Sequence, residues 1–180
     1  MSATIRSGAL PAALKRRLYR VARDLRHPGP ALERRRIREG VARFLGGRHA
    51  LVGYEREVRD SGLMEHLLEK GREHHEAVVA TGAGHSLGAI GYTEGVYLYA
   101  VLRAVRPDVV VETGVANGFS TAFSLLALQA NDAGHLHSID LPREVGRHYE
   151  LGTFYEGEGR AGIPPGSEPG WLIPPALKER

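Results

Sequence analysis

The 180-residue sequence contains no cysteine. That absence excludes disulfides, thiolate metal sites and a cysteine nucleophile. Long hydrophobic runs are missing as well. None approaches the ~20 residues needed to cross a bilayer, so no membrane partner is expected. The first residues lack the apolar stretch and small-residue cleavage site of a secretory leader, and a cytoplasmic protein is the expectation. No internal repeat is visible. What is present is ordinary globular material, 42% hydrophobic and 25% charged, enough for one domain or a domain with an extension.

The formal net charge of +3 hides an asymmetry. Residues 1–48 hold 13 Lys/Arg and 3 Asp/Glu, whereas the rest hold 11 and 18. Such a basic arm can contact nucleic acid, anionic lipid or an acidic partner surface. The plainer reading is the solvated faces of two helices.

Residues 1–90 read as a basic helical region. Leu10, Leu14, Leu18, Val21 and Leu25 recur at helical spacing with Arg and Lys between them, and His27-Pro28-Gly29-Pro30 stops that helix. Ile37, Val41, Phe44 and Leu45 form a second apolar stripe, ended by Gly46-Gly47. A third helical stretch runs from about Tyr54 to Ala80, with an interruption at Ser61-Gly62, where Ser61 could cap a restart burying Leu63, Leu67 and Leu68. Residues 81–91 are Gly-rich and read as a loop. Thr93 suits the N-cap of a further helix, with Glu94 favouring its positive end and Pro107 terminating it. Val96, Tyr97, Ala100, Leu102 and Val105 supply its apolar surface.

After Pro107 the periodicity changes. Val109-Val110-Val111 is short, β-branched and wholly apolar, which suits a parallel strand covered on both faces. A turn with glycine at each end, residues 114–118, leads into a helix from Ser120 to Gln129, closed by Asn131-Asp132-Ala133-Gly134. Leu136 to Asp140 is a second short strand. The expected fold class is therefore α/β: N-terminal helices followed by an incomplete Rossmann-like βαβ unit in residues 91–180, with a right-handed crossover. Residues 143–170 look like a long loop, Trp171-Leu172-Ile173 is an apolar anchor, and a helix begins near Pro174 or Pro175.

The candidate site lies in VVVETGVANGFST, residues 109–121, and LHSIDLP, residues 136–142. Gly114 and Gly118 allow a sharp strand-to-helix turn and close approach of a ligand. The new helix offers N–H groups near Gly118, Phe119 and Ser120 to a ligand carboxylate. Asp140 falls 22 residues past Gly118, where an acid can accept hydrogen bonds from the ribose hydroxyls of an adenosine. The dinucleotide pattern G-x-G-x-x-G fails, because Ala116 and Phe119 stand at its second and third glycine positions. Glu112 would repel a pyrophosphate but could bind an ammonium, directly or through water.

The run E-x-G-x-x-x-G-x-S-T after an apolar strand, followed by an acid ending the next strand, resembles class I methyltransferases that use S-adenosyl-L-methionine (SAM). From about Gly91 to Leu177 the chain resembles the family often labelled methyltransferase-24 or cephalosporin-hydroxylase-like. The resemblance implies that Glu112 to Thr121 form motif I and Asp140 binds the ribose. It also implies that Gly91-Tyr92-Thr93-x-Gly95 begins a helix lying against the cofactor, and that P-G-W-L-I-P, residues 169–174, is a loop before a third strand. The expected cofactor-binding set is Glu112 for the methionine ammonium, Gly114 and Gly118 for backbone access, Asn117, Ser120 and Thr121 for the carboxylate or pocket closure, and Asp140. The implied activity is methyl transfer to oxygen of a small molecule. Such enzymes have a seven-stranded sheet, of which this sequence supplies the first two strands. No catalytic base or metal ligand carries over, and a truncated chain is expected to bind SAM weakly, to be marginally stable and to self-associate.

Plainer readings stand beside these. Glu112 and Asp140 can be surface strand-end carboxylates, Asn117 a left-handed turn residue, and Ser120 and Thr121 supports for the first helical turn. His74-His75 chelate poorly as helical neighbours, and His135 and His137 share a strand face without an evident third ligand, so no metal site is expected. His85, in its Gly-rich loop, reads as a solvated residue, with lining the pocket as the alternative, while Ser86 lacks the context of a nucleophile elbow. Tyr92, Tyr97 and Tyr99 read as packing. Two other functions compete: a non-catalytic basic module for nucleic acid or an acidic partner, and an NAD-dependent enzyme, which the glycine pattern disfavours.

Overall fold

The structure is a computed structural model that describes residues 28–81, 90–140 and 168–178. The elements are α1 (Pro28–Phe44), α2 (Arg48–Asp60), α3 (Leu63–Thr81), α4 (Tyr92–Val105), β1 (Val109–Thr113), α5 (Phe119–Asn131), β2 (His135–Ile139) and α6 (Pro175–Lys178). Helices thus precede a β1–α5–β2 unit whose strands pair in parallel, an α/β arrangement with a two-stranded sheet. Among the described residues no helix is long and apolar enough to cross a membrane. The stripe from Leu10 to Leu25 and residues His85 and Ser86 lie outside the described residues, as do the side chains of His74 and His75.

The helical region divides where its capping chemistry dictates. Ser61 separates α2 from α3: its hydroxyl donates to the Val58 carbonyl at 2.7 Å and accepts the Leu63 N–H at 3.2 Å. The restart buries Leu63 and Leu67, but Leu68 is 65% exposed. Its position one residue past Leu67 turns it about 100° away from the core-facing stripe. The fourth helix starts two residues earlier than Thr93 as N-cap suggests: Gly91 is the N-cap, and no side chain caps the helix.

One apolar core joins Val58, Leu63 and Leu67 to Val96, Tyr99 and Leu102 of α4, to Phe123 and Ala127 of α5, and to Leu172, Ile173 and Leu177. A smaller cluster of Ala42, Leu51 and Ala100 holds α1. Between α2, α4 and α5 runs a polar junction. Glu57 accepts from the Tyr99 hydroxyl at 2.7 Å and from Arg103 Nε at 2.9 Å. Arg103 also donates to the side-chain oxygen of Asn131 and, at 3.1 Å, to the Ala130 carbonyl. Asn131, 3% exposed, returns a bond from Nδ2 to the Leu102 carbonyl at 2.9 Å. Every polar group drawn into this layer therefore has a partner, which is the condition for burying it without penalty.

The sheet departs from the expected double coverage. In register, Val109 faces His135, Val111 faces His137 and Thr113 faces Ile139. These residues share one face, on which Val109, Val111 and Ile139 are 56%, 63% and 60% exposed. The opposite face carries Val110, which packs on the core, and Glu112 beside Ser138. The β1–α5–β2 crossover places its helix on one side of the sheet only, and among the described residues no element covers the other side.

Two expectations follow. Burial, then the hydrogen bond to Glu57, raises the Tyr99 phenol above its ordinary value. A group whose folded-state pKa is raised contributes stability below its unfolded value, about 10 for tyrosine, and loses it as pH climbs further. Unfolding free energy should therefore fall above about pH 10, and Tyr99→Phe should flatten that alkaline limb in denaturant titrations. The bare sheet face should drive self-association. Sedimentation velocity should show association that rises with protein concentration and is suppressed by Val111→Lys with Ile139→Lys. A wild-type chain that stays monomeric throughout would count against it.

Candidate functional site

The segment joining β1 to α5 alternates into left-handed backbone at Gly114 (φ 82°), Ala116 (φ 49°) and Gly118 (φ 86°). Its ends are pinned. The Gly114 N–H donates to the Ile139 carbonyl at 2.8 Å, extending the strand ladder by one bond. The Gly118 N–H donates to the Val115 carbonyl at 2.7 Å, and the Ala122 N–H to the Gly118 carbonyl at 2.9 Å, where α5 begins. Gly118 is the N-cap and no side chain caps the helix. Its own N–H is thus occupied by the turn. The groups open to a ligand carboxylate are those of the residues that follow it in the first helical turn, which lack intrahelical partners by construction.

Both candidate carboxylates meet this turn. Asp140 directly follows β2, and its Oδ2 accepts the Ala116 N–H at 2.9 Å. A left-handed alanine is uncommon, and an external acceptor for its amide helps hold it there. Glu112 points to the helix side of β1, in register with Ser138. It accepts from the hydroxyls of Ser120 at 2.5 Å, Thr121 at 2.7 Å and Ser138 at 3.0 Å. A carboxylate offers about four lone-pair sites, so these hydroxyls occupy most of its capacity. Ser120 and Thr121, expected at a ligand carboxylate, spend their protons on Glu112.

Asn117 turns inward. It is 2% exposed. Its side-chain oxygen accepts Trp171 Nε1 at 2.9 Å, and its carbonyl accepts the Leu172 N–H at 3.0 Å. The Ala116 carbonyl accepts the Gly170 N–H at 2.9 Å. Residues 170–173 are therefore docked on the turn by backbone and side chain together. The two glycines then have different reasons to be glycine. A Cβ on Gly118 would lie 2.6 Å from Ile173 and 2.8 Å from the Gly170 backbone, whereas a Cβ on Gly114 would meet nothing within 4 Å. The turn is closed over Gly118 and open at Gly114.

The partnership of Trp171 and Ile173 with the turn was not readable as part of the site. Its only sequence signal is an isolated tryptophan in a Gly- and Pro-rich stretch. No third strand forms there among the described residues, which show a turn followed by α6. His135 and His137 do share a face, that of Val109 and Val111. No group of three His, Asp or Glu capable of holding a metal gathers among the described residues.

Chemically, the open side of the turn offers two carboxylates, backbone N–H groups at a helix start and no Lys or Arg in residues 109–121 or 135–140. That donor set suits a ligand that is cationic at one point and rich in hydroxyls at another, and is unsuited to a pyrophosphate. No family model matches the chain, and no curated protein or solved structure matches it.

The difference between the two glycines is measurable. Gly118→Ala should cost roughly 2–4 kcal/mol in thermal or denaturant unfolding, combining positive-φ strain with overpacking against Ile173. Gly114→Ala carries the strain alone and should cost about 1 kcal/mol. Equal costs would show that residues 170–173 do not sit on the turn.

Proposed function

We propose that the β1–α5–β2 unit is the cofactor-binding start of a Rossmann-like class I methyltransferase that takes SAM and methylates oxygen of a small molecule. The observation that carries this reading is the hydrogen bond from the Ala116 amide to Asp140. It brings the acid at the end of the second strand to the glycine turn at the end of the first, the juxtaposition an adenosine moiety requires. The opening at Gly114 leaves room for a ligand against backbone, which is the fit expected of a bound nucleoside.

In this reading Asp140 accepts from the ribose hydroxyls while its other oxygen holds the turn. Glu112, kept in place by Ser120, Thr121 and Ser138, lends its remaining lone pair to the methionine ammonium, directly or through water. The first-turn amides of α5 at Phe119 and Ser120 meet the carboxylate, which the helix dipole favours. Asn117 supports the turn through Trp171 instead of touching ligand. Gly118 serves the same support by letting Ile173 approach. SAM supplies an electrophilic methyl group on a sulfonium, and the chain's part in transfer is positioning.

Calorimetric titration with S-adenosylhomocysteine tests the site. The wild-type chain should bind. Asp140→Asn, which retains an acceptor for the Ala116 amide but loses the charge, should bind at least about tenfold more weakly, a loss in line with a charge-assisted hydrogen-bond pair. Asp140→Ala should abolish binding. A folded wild-type protein that binds neither S-adenosylhomocysteine nor SAM overturns the proposal, and preferential binding of NAD would redirect it to a dinucleotide.

A further inference from the structure

The second apolar stripe of the sequence is split by the fold. Val41 and Leu45 pack towards Ala42 and Leu51. Ile37 and Phe44 do not: they are 49% and 62% exposed. Being seven residues apart, they lie on one side of α1 two turns from each other. At about 100° per residue, Arg34 lies on one flank of this pair and Arg36 with Arg43 on the other. Helix α1 holds five arginines and two glutamates. Three neighbouring arginines are matched: Arg35 and Arg48 pair with Glu39, and Arg38 pairs with Glu55. Arg36 and Arg43 have no ion pair among the described residues.

We propose that this side of α1 docks on an anionic phospholipid surface, with Ile37 and Phe44 entering the headgroup–acyl boundary and Arg36 and Arg43 reaching lipid phosphates. An amphipathic helix with a cationic border and exposed large apolar residues binds in the interface plane without spanning. That lack of a span bears on crossing alone, so hydropathy did not predict this contact. Arginine suits it, since its stem covers apolar surface while its head reaches phosphate. Charge complementarity favours lipid over the chain's own N-terminal stripe, because residues 1–27 carry Lys and Arg between their leucines and would set like charge against like. A nucleic acid would use the arginines but gains nothing from Ile37, which cannot stack on a base. Glu33, four residues before Ile37 and about 40° from it, lies between the apolar pair and Arg36 with Arg43, where the three arginines outnumber it.

The test is co-sedimentation of the full chain with extruded vesicles of phosphatidylcholine alone or with phosphatidylserine, at low and high salt, beside duplex DNA binding. The wild type should partition onto phosphatidylserine vesicles at low salt and leave pure phosphatidylcholine in the supernatant. Ile37→Ser with Phe44→Ser should weaken partitioning by about tenfold or more, and Arg36→Gln with Arg43→Gln by about thirtyfold. Both pairs should keep the wild-type thermal melt, since the substituted side chains are exposed. Failure of the folded wild type to partition overturns the proposal. So does partitioning indifferent to the Ile37/Phe44 pair, which would mean charge alone acts. Retention on DNA rather than vesicles, again indifferent to that pair, would assign the arginines to nucleic acid.

Discussion

The junction of Glu57, Tyr99, Arg103 and Asn131 is the constraint on which the other placements depend. It is the polar seam at which α2, α4 and the end of α5 meet. Arg103 contributes where a lysine could not. Its fork serves Glu57 on one side and the last turn of α5 on the other, using separate N–H groups. Arg106 reinforces the same helix end by donating to the Asn131 carbonyl at 2.7 Å. With Phe123 and Ala127 packed in the core, fixing the C-terminal end of α5 sets the axis of the helix, and hence where its first turn meets β1. The site is thus oriented from the end opposite to the one that would meet a ligand.

At the turn itself, internal satisfaction and ligand recognition draw on the same groups. Glu112 is held by hydroxyls and Asp140 by an amide. Leaving either carboxylate without donors in a half-buried position would be costly. Hydroxyl donors solve this cheaply, because Ser and Thr rotors can also turn elsewhere when another donor arrives. The Ala116 amide cannot turn, so Asp140 is the fixed point and Glu112 the adaptable one. A ligand carrying an ammonium would meet the adaptable carboxylate, and one carrying ribose would meet the fixed one. This division agrees with ribose recognition needing geometry and ammonium recognition needing charge.

The sequence revealed those features that depend on spacing along the chain. The strands, the helix between them, the break at Ser61-Gly62 and the short helix at Pro175 follow from β-branched runs, caps and prolines acting within a few residues. The meeting of Gly114 and Asp140 near one turn follows for the same reason: each directly follows a strand of the parallel pair. What could not be read depends on contacts between distant segments. Asn131 does end its helix, as the polar run after Gln129 suggested, and is also a buried partner of Arg103, which spacing could not show. Asn117, read as a ligand contact or a left-handed turn residue, is not left-handed, and its side chain is joined to Trp171, 54 residues on. The helical stripe of Ile37, Val41, Phe44 and Leu45 was seen correctly as apolar, but periodicity cannot say which half a single neighbouring helix will cover. The strand run Val109–Val111 implied two covered faces, and only a count of available covering elements shows that one stays bare.

Two apolar surfaces therefore remain open, and their borders differ in a way that bears on what each can meet. Around Val109, Val111 and Ile139 the neighbours are His135, His137 and Thr113, with no fixed charge in the register. Such a face is suited to another apolar protein surface, and the open strand edges add backbone pairing to it. Around Ile37 and Phe44 the charged neighbours are Glu33 and the arginines Arg34, Arg36 and Arg43, whose charge cannot be removed by pH. Bringing a second copy of that surface against itself would oppose guanidinium to guanidinium, so self-association through α1 is disfavoured where self-association through the sheet is not. The same hydrophobic driving force thus acts on both surfaces, while the flanking charge would suit one to protein and the other to an anionic partner.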